Sequence, residues 1–255
     1  MKKRMKKIMM LLATTMLLFG VSGQAMASLT TGDLIRVVYK FDGTGAEVAT
    51  DLTGATGWTT GTAVTGPTTY NTDNFSLSQF SGLGWGDLRV AYYANTFPAG
   101  NFWFTGPDGG MDSRDMKMGL VRTKLANMNG VYSTAMGSGK QGTIQSTTAN
   151  SYWNLMDAGG VEIGSWGTFV QPGNAAISLA DLGTTGFVDQ YLYYYPAATS
   201  NIVAPGTQVA KIRTYADGHT DVMNLDVNPV PVPAAVYLFG TGLLGLIRIR
   251  RKKAA

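Results

Sequence analysis

Residues 87–105 read DLRVAYYANTFPAGNFWFT, and their reading decides the fold class. The segments DLRVAYYA (87–94) and NFWFT (101–105) are dense in β-branched and aromatic side chains, which suit a pleated, half-buried surface. Between them, residues 95–100 contain Pro98, which interrupts a ladder and marks a loop. Two strands joined by a loop are therefore expected here.

The same signature recurs outward in both directions. LIRVVYKF (34–41) predicts a strand that turns at Asp42-Gly43, and 46–52 and 58–64 follow as further strands. FSLSQF (75–80) alternates in the manner of a half-buried strand. Downstream, VEIGSWGTFV (161–170), GFVDQYLYYY (186–195), QVAKIRTY (208–215) and TDVMNL (220–225) continue the series. The last two flank Asp217-Gly218, a pair suited to the positive φ of a tight hairpin turn. One segment breaks the pattern. Across 113–129, Met116, Leu120, Val121, Leu125 and Met128 recur at helical spacing, with Ser113 as N-cap and Gly130 as stop. A second short helix is expected near 150–157.

Glycine is abundant (33 of 255 residues), only two glutamates occur, and cysteine is absent. A domain without disulfides must hold itself by its core, a metal or assembly. The fold class expected is mainly β: a single β-sandwich or jelly-roll-like domain over residues 28–227 with a short helical insertion.

Both ends read as targeting segments. Residues 1–7 carry Lys2, Lys3, Arg4, Lys6 and Lys7, and an apolar run follows over 8–21. Ala25 and Ala27 supply the small residues of a cleavage site, so residues 1–27 are expected to be a signal peptide removed by signal peptidase. Residues 228–255 read NPVPVPAAVYLFGTGLLGLIRIRRKKAA. A proline stretch is followed by an apolar segment over 234–249, then by a basic end of Arg248, Arg250, Arg251, Lys252 and Lys253. A membrane-spanning helix needs about 17–25 apolar residues, so this segment spans only marginally, and its basic end is expected on the cytoplasmic side.

This tail resembles the PEP-CTERM sorting domain of bacterial exosortase substrates. The resemblance rests on Val230, Pro231, Val232 and Pro233 followed by AAVYLFGTGLLGLIRIRRKK, about a tenth of the chain. The position usually held by glutamate is here Val232. The resemblance implies passage through the inner membrane, transient anchoring by the tail, processing by an exosortase, and delivery to the cell surface or an exopolysaccharide matrix. A plain uncut C-terminal anchor is the simpler alternative.

The whole chain carries +4, which would ordinarily invite a nucleic-acid reading. Five of the 20 basic residues lie in the signal peptide and five in the tail. The ten that remain face all 16 acidic residues, leaving the exported part at −6. Nucleic acid is not an expected partner.

No enzymatic activity is expected. His219 is the sole histidine and sits beside the predicted turn, with Asp221 two residues on. Thiol catalysis lacks its residue, and zinc sites built from cysteine or several histidines lack theirs. Glu162, near Trp166, reads as a surface acid on a strand. Asp108, Asp112 and Asp115 form an oxygen-rich stretch that could hold Ca²⁺, although acids before a helix also complement its dipole. Alternation places Tyr191, Tyr193 and Tyr195 on one strand face, a candidate platform for an exopolysaccharide. The function expected is a structural or adhesive surface or matrix component. The alternatives are an extracellular carbohydrate-binding module and a carbohydrate-active hydrolase.

Overall fold

The computed structural model describes residues 32–52, 66–96, 100–106, 108, 116–157, 175–197, 201–202 and 206–225. The signal peptide, the sorting tail, and the strands expected at 58–64 and 161–170 lie outside the described residues. Twelve strands are formed among the described residues: β1 (Ile35–Lys40), β2 (Ala46–Asp51), β3 (Thr68–Tyr70), β4 (Leu88–Thr96), β5 (Asn101–Gly106), β6 (Met116–Lys117), β7 (Gln141–Gln145), β8 (Ala176–Ser178), β9 (Phe187–Tyr195), β10 (Asn201–Ile202), β11 (Thr207–Tyr215) and β12 (Thr220–Met223). One long helix, α1 (Met118–Met136), accompanies them.

The protein is mainly β, as expected, but among the described residues the strands do not divide into two facing sheets, β6 and β10 forming only a small pair of their own. Nine join in one antiparallel sheet in the order β3-β12-β11-β9-β5-β4-β1-β2-β7, curled into a half-barrel. Strand β4 is long enough to serve two neighbours on one side. Its Tyr93–Thr96 half pairs with β5, and its Arg89–Ala91 half pairs with β8. The curl brings the β11–β12 end opposite β1 and β4. Tyr92 Oη thus lies 2.6 Å from Thr214 Oγ1 and 2.9 Å from Thr220 Oγ1. Two walls of one sheet enclose the core where a sandwich would use two sheets.

Alternation sorts the side chains. Leu34, Val38, Val48, Leu88, Val90, Trp103, Leu192, Ile212 and Val222 fill the inside. Ile35, Val37, Tyr39, Ala91, Tyr93, Phe102 and Phe104 face outward and are covered in part by Leu125, Met128, Tyr132 and Met136 of α1. Full burial of each large apolar side chain contributes about 1.5–3 kcal/mol, so the cysteine-free domain has two apolar layers to draw on. A bulge between Gln208 and Ala210 turns Val209 and Ala210 both inward, which a regular strand could not do.

Three local expectations are corrected. Residues 75–80 form no strand. Ser76 and Gln79 cap each other, the Ser76 amide donating to Gln79 Oε1 at 2.9 Å, and Leu77–Gln79 becomes a 3-10 turn. Gly130 does not stop the helix, because Tyr132 and Met136 continue the buried stripe of Leu125 and Met128. The helix ends instead at Gly137, whose φ of +60° suits a terminating glycine. The short helix near 150–157 is present as a π-helical turn, Trp153–Asp157. The expected hairpin is formed, with Gly218 at φ +85° and paired strands on either side.

Candidate functional site

The β1–β2 turn, the Leu77–Gln79 turn and the end of β7 enclose a cleft of about 340 Å³. Lys40, Thr44, Gln79, Phe80, Ser81 and Gln145 line it. Inward phase of β1 carries Lys40 to this position, two residues beyond Val38. The Asp42-Gly43 turn then folds Thr44 back onto it. Lys40 Nζ donates to Thr44 Oγ1 at 2.8 Å and lies 2.7 Å from Asp42 Oδ2. Hydrogen bonds from Lys40 and Thr44 hold the exposed Asp42 carboxyl down at about 2.

Behind the cleft, a chain of polar side chains runs into the core. Gln79 Nε2 donates to Gln141 Oε1 at 2.6 Å, and Gln141 Nε2 donates to Thr50 Oγ1 at 3.1 Å and to the Asp73 carbonyl at 2.9 Å. Thr50 Oγ1 also accepts from Arg36 Nη2 at 3.2 Å. Arg36 is fully buried. Its Nη1 donates to the Gly218 carbonyl at 2.6 Å and to Thr220 Oγ1 at 3.1 Å, and its Nη2 also reaches the Asp73 carbonyl at 2.9 Å. Its guanidinium carbon stands 4.8 Å from the Phe75 ring centroid. Burial lowers its pKa, against the opposing influence of Tyr92 and Asp73. The charge is distributed over carbonyls and hydroxyls, so it ties the two walls of the half-barrel together.

A second buried charged residue lies on the outer face. Glu47 of β2 accepts from Tyr132 Oη of α1, from the Tyr152 amide at 2.8 Å and from the Trp153 amide at 3.0 Å. Burial pushes its carboxyl up to about 7 despite those three donors. Burial also raises Tyr93 and Tyr132, and the nearby Glu47 charge adds to both shifts.

The sites expected from sequence are distributed differently. Tyr191, Tyr193 and Tyr195 do share a face, but it is the packed outer face. Tyr193 and Tyr195 are buried, Tyr191 packs against the same apolar cluster, and the Tyr195 ring stacks on Phe102 at 5.0 Å. The open tyrosine platform expected on β9 is therefore corrected: alternation puts the three side chains on one face, but that face is packed rather than open. Asp108 is exposed, whereas Asp112 and Asp115 lie outside the described residues, as do Glu162 and Trp166. Among the described residues no group of three or more His, Cys, Asp or Glu could hold a metal ion. His219 stacks on Tyr215 with centroids 3.9 Å apart, and its Nδ1 pairs with Asp217 rather than Asp221. Asp221 accepts from Tyr215 Oη at 2.9 Å and from Thr69 at 2.6 Å. Val230, Pro231, Val232, Pro233, the basic end, and Ala25 and Ala27 lie outside the described residues.

Arg36, Glu47 and the cleft were not singled out from sequence. The available signal was a charge inside an otherwise apolar strand: Arg36 between Ile35 and Val37, and Glu47 between Ala46 and Val48. Compared with protein families, curated proteins and solved structures, the chain matches none.

Proposed function

We propose that this is an exported bacterial protein of the cell surface or exopolysaccharide matrix, structural or adhesive in role, delivered by an exosortase. The carrying observation is the order of parts at the C-terminus: Val230-Pro231-Val232-Pro233, an apolar segment that is uncharged over 234–247, and a cluster of arginines and lysines. The N-terminal basic segment, apolar run and Ala25–Ala27 site give the matching entry signal. The domain between them suits that destination. It contains no cysteine, and it draws its stability from two apolar layers and a buried polar tie between its walls, so it does not depend on the redox state of its surroundings.

On this reading the signal peptide and the tail are both temporary. Mass spectrometry of the protein recovered from the surface of its host cells should find an N-terminus near Ser28 and no peptide from residues 250–255. Recovery of the intact basic end on the mature surface protein would overturn the sorting reading in favour of a permanent anchor.

A further inference from the structure

We infer that the cleft between the β1–β2 turn, the Leu77–Gln79 turn and the end of β7 is a binding site for a small hydroxylated carboxylate, of the hexuronic acid class. This goes beyond the proposed role and is independent of how the protein is delivered.

The argument starts from Gln79. Its Oε1 is taken by the Ser76 amide and one Nε2 proton by Gln141. Rotating the amide by half a turn would set its NH₂ against the Ser76 N–H, donor against donor, so the network fixes its orientation. Gln141 is fixed in turn by Thr50 and the Asp73 carbonyl, and Thr50 by the buried Arg36. Two layers of side chains thus hold one amide rigid at the wall of a cleft. Such support behind a surface group lowers the ordering cost of binding. One Nε2 proton of Gln79 remains after these bonds are counted.

Lys40 supplies the charge. Its ammonium has three protons, of which Thr44 Oγ1 and Asp42 Oδ2 take two. Gln79 Nε2 and Lys40 Nζ thus each keep one proton to donate into the cleft, and a ligand carboxylate is an acceptor that suits two such donors. Ser81 and Gln145 add groups that both donate and accept, matching ring hydroxyls, and Phe80 adds an apolar wall for carbon-bound hydrogens. The size of the cleft is at the low end for small-molecule sites, about 300–1,000 Å³, which suits one sugar unit.

The test is NMR titration of the ¹⁵N-labelled full-length chain in mild detergent with D-glucuronate, D-glucose and acetate, following the side-chain amides of Gln79 and Gln145. Glucuronate should give saturable shifts at millimolar concentration, with glucose and acetate each at least tenfold weaker. Lys40→Met should weaken glucuronate binding at least tenfold. Asp42→Asn, which keeps an oxygen for Thr44 but releases the ammonium, should tighten it severalfold. Absence of saturable shifts, equal affinity for glucose, equal affinity for acetate, or insensitivity to both substitutions would each overturn the assignment.

Discussion

Glu47 Oε1 accepts the backbone amide of Tyr152 at 2.8 Å, joining residues 105 positions apart in the chain. The same carboxyl accepts from Tyr132 and from the Trp153 amide. It therefore fastens both the helix and the Trp153–Asp157 turn to β2. The groups facing it are tyrosines: Tyr39 across the β1–β2 pair, Tyr93 from β4, Tyr132 from the helix and Tyr152 from the turn. No cation is hydrogen-bonded to it among the described residues.

This arrangement gives stability a specific pH dependence. The carboxyl titrates near its ordinary 4.5 in the unfolded chain and at about 7 in the folded one. Between those values the folded state holds a proton that the unfolded state has released, so stability falls as pH rises. The loss over the window is up to about 3 kcal/mol, after which the curve levels. Urea unfolding between about pH 5 and about pH 8 measures it. Glu47→Gln should flatten the slope in that range. Stability that rose with pH across the window in the unmodified protein would contradict the assignment.

Arg36 makes the second prediction. It reaches Gly218 and Thr220 on one wall and Thr50 on the other. Arg36→Met keeps much of the volume but leaves buried acceptors without donors, at an expected cost of about 2–4 kcal/mol. Arg36→Lys keeps the charge but lacks the planar fork that spans both walls, and should still cost about 1–3 kcal/mol. Tyr92→Phe removes hydroxyl contacts to Thr214 and Thr220 and should cost about 1 kcal/mol. Because Arg36 and Tyr92 share Thr220, the Arg36→Met and Tyr92→Phe losses should fail to add by more than about 0.5 kcal/mol in a double-mutant cycle. Strict additivity would show that the network does not act as a unit.

Asp189 offers a contrast on the outer surface. Arg213 binds it through two nitrogens at 2.7 and 2.9 Å, and Lys211 approaches at 2.7 Å. Partial burial works against its ionisation, but those hydrogen bonds outweigh it and hold the carboxyl below its ordinary value. Being partly solvated, the group should contribute only about 1 kcal/mol. Asp189→Asn should lower stability by that amount in dilute buffer and by less at high salt. An effect as large as that of Arg36→Met would contradict the solvated reading.

What could be read from sequence follows a physical division. Segments whose apolar residues alternate were legible: β1, β2, β4, β5, β9, β11 and β12 all fall where β-branched and aromatic residues cluster. β7, with Ile144 as its single large apolar residue, carries no such pattern; β2 supplies its ladder and α1 packs against it. The 75–80 segment alternates correctly, but reciprocal capping by Ser76 and Gln79 outweighs its pattern. Alternation gave the common face of Tyr191, Tyr193 and Tyr195 but not its burial, because Phe102 and the rest of the outer apolar cluster meet that face only through the fold. The cleft was least legible. Lys40, Gln79 and Gln145 are ordinary polar residues in sequence, and only the pairing of β1, β2 and β7 together with the Leu77–Gln79 turn assembles them.

Gly218 provides the last prediction, in a matched pair with Gly82. Both have positive φ, +85° and +77°. Around Gly82 nothing stands within 4 Å of an added Cβ, so Gly82→Ala tests the backbone cost alone, about 1–2 kcal/mol. At Gly218 the same atom would fall 2.0 Å from the Phe75 carbonyl oxygen and 2.7 Å from its nitrogen. Backbone cannot yield there cheaply, because Phe75 is buried under the hairpin and the Gly218 carbonyl is held by Arg36. Gly218→Ala should therefore cost about 2–5 kcal/mol, adding overpacking to the dihedral strain. For a domain of about 200 residues, each kcal/mol lowers Tm by about 2–4 °C. Calorimetry on the two variants should thus show a clearly larger drop for Gly218→Ala. Equal drops would mean that the hairpin does not press against Phe75, and that the walls of the half-barrel meet less closely than the Arg36 hydrogen bonds require.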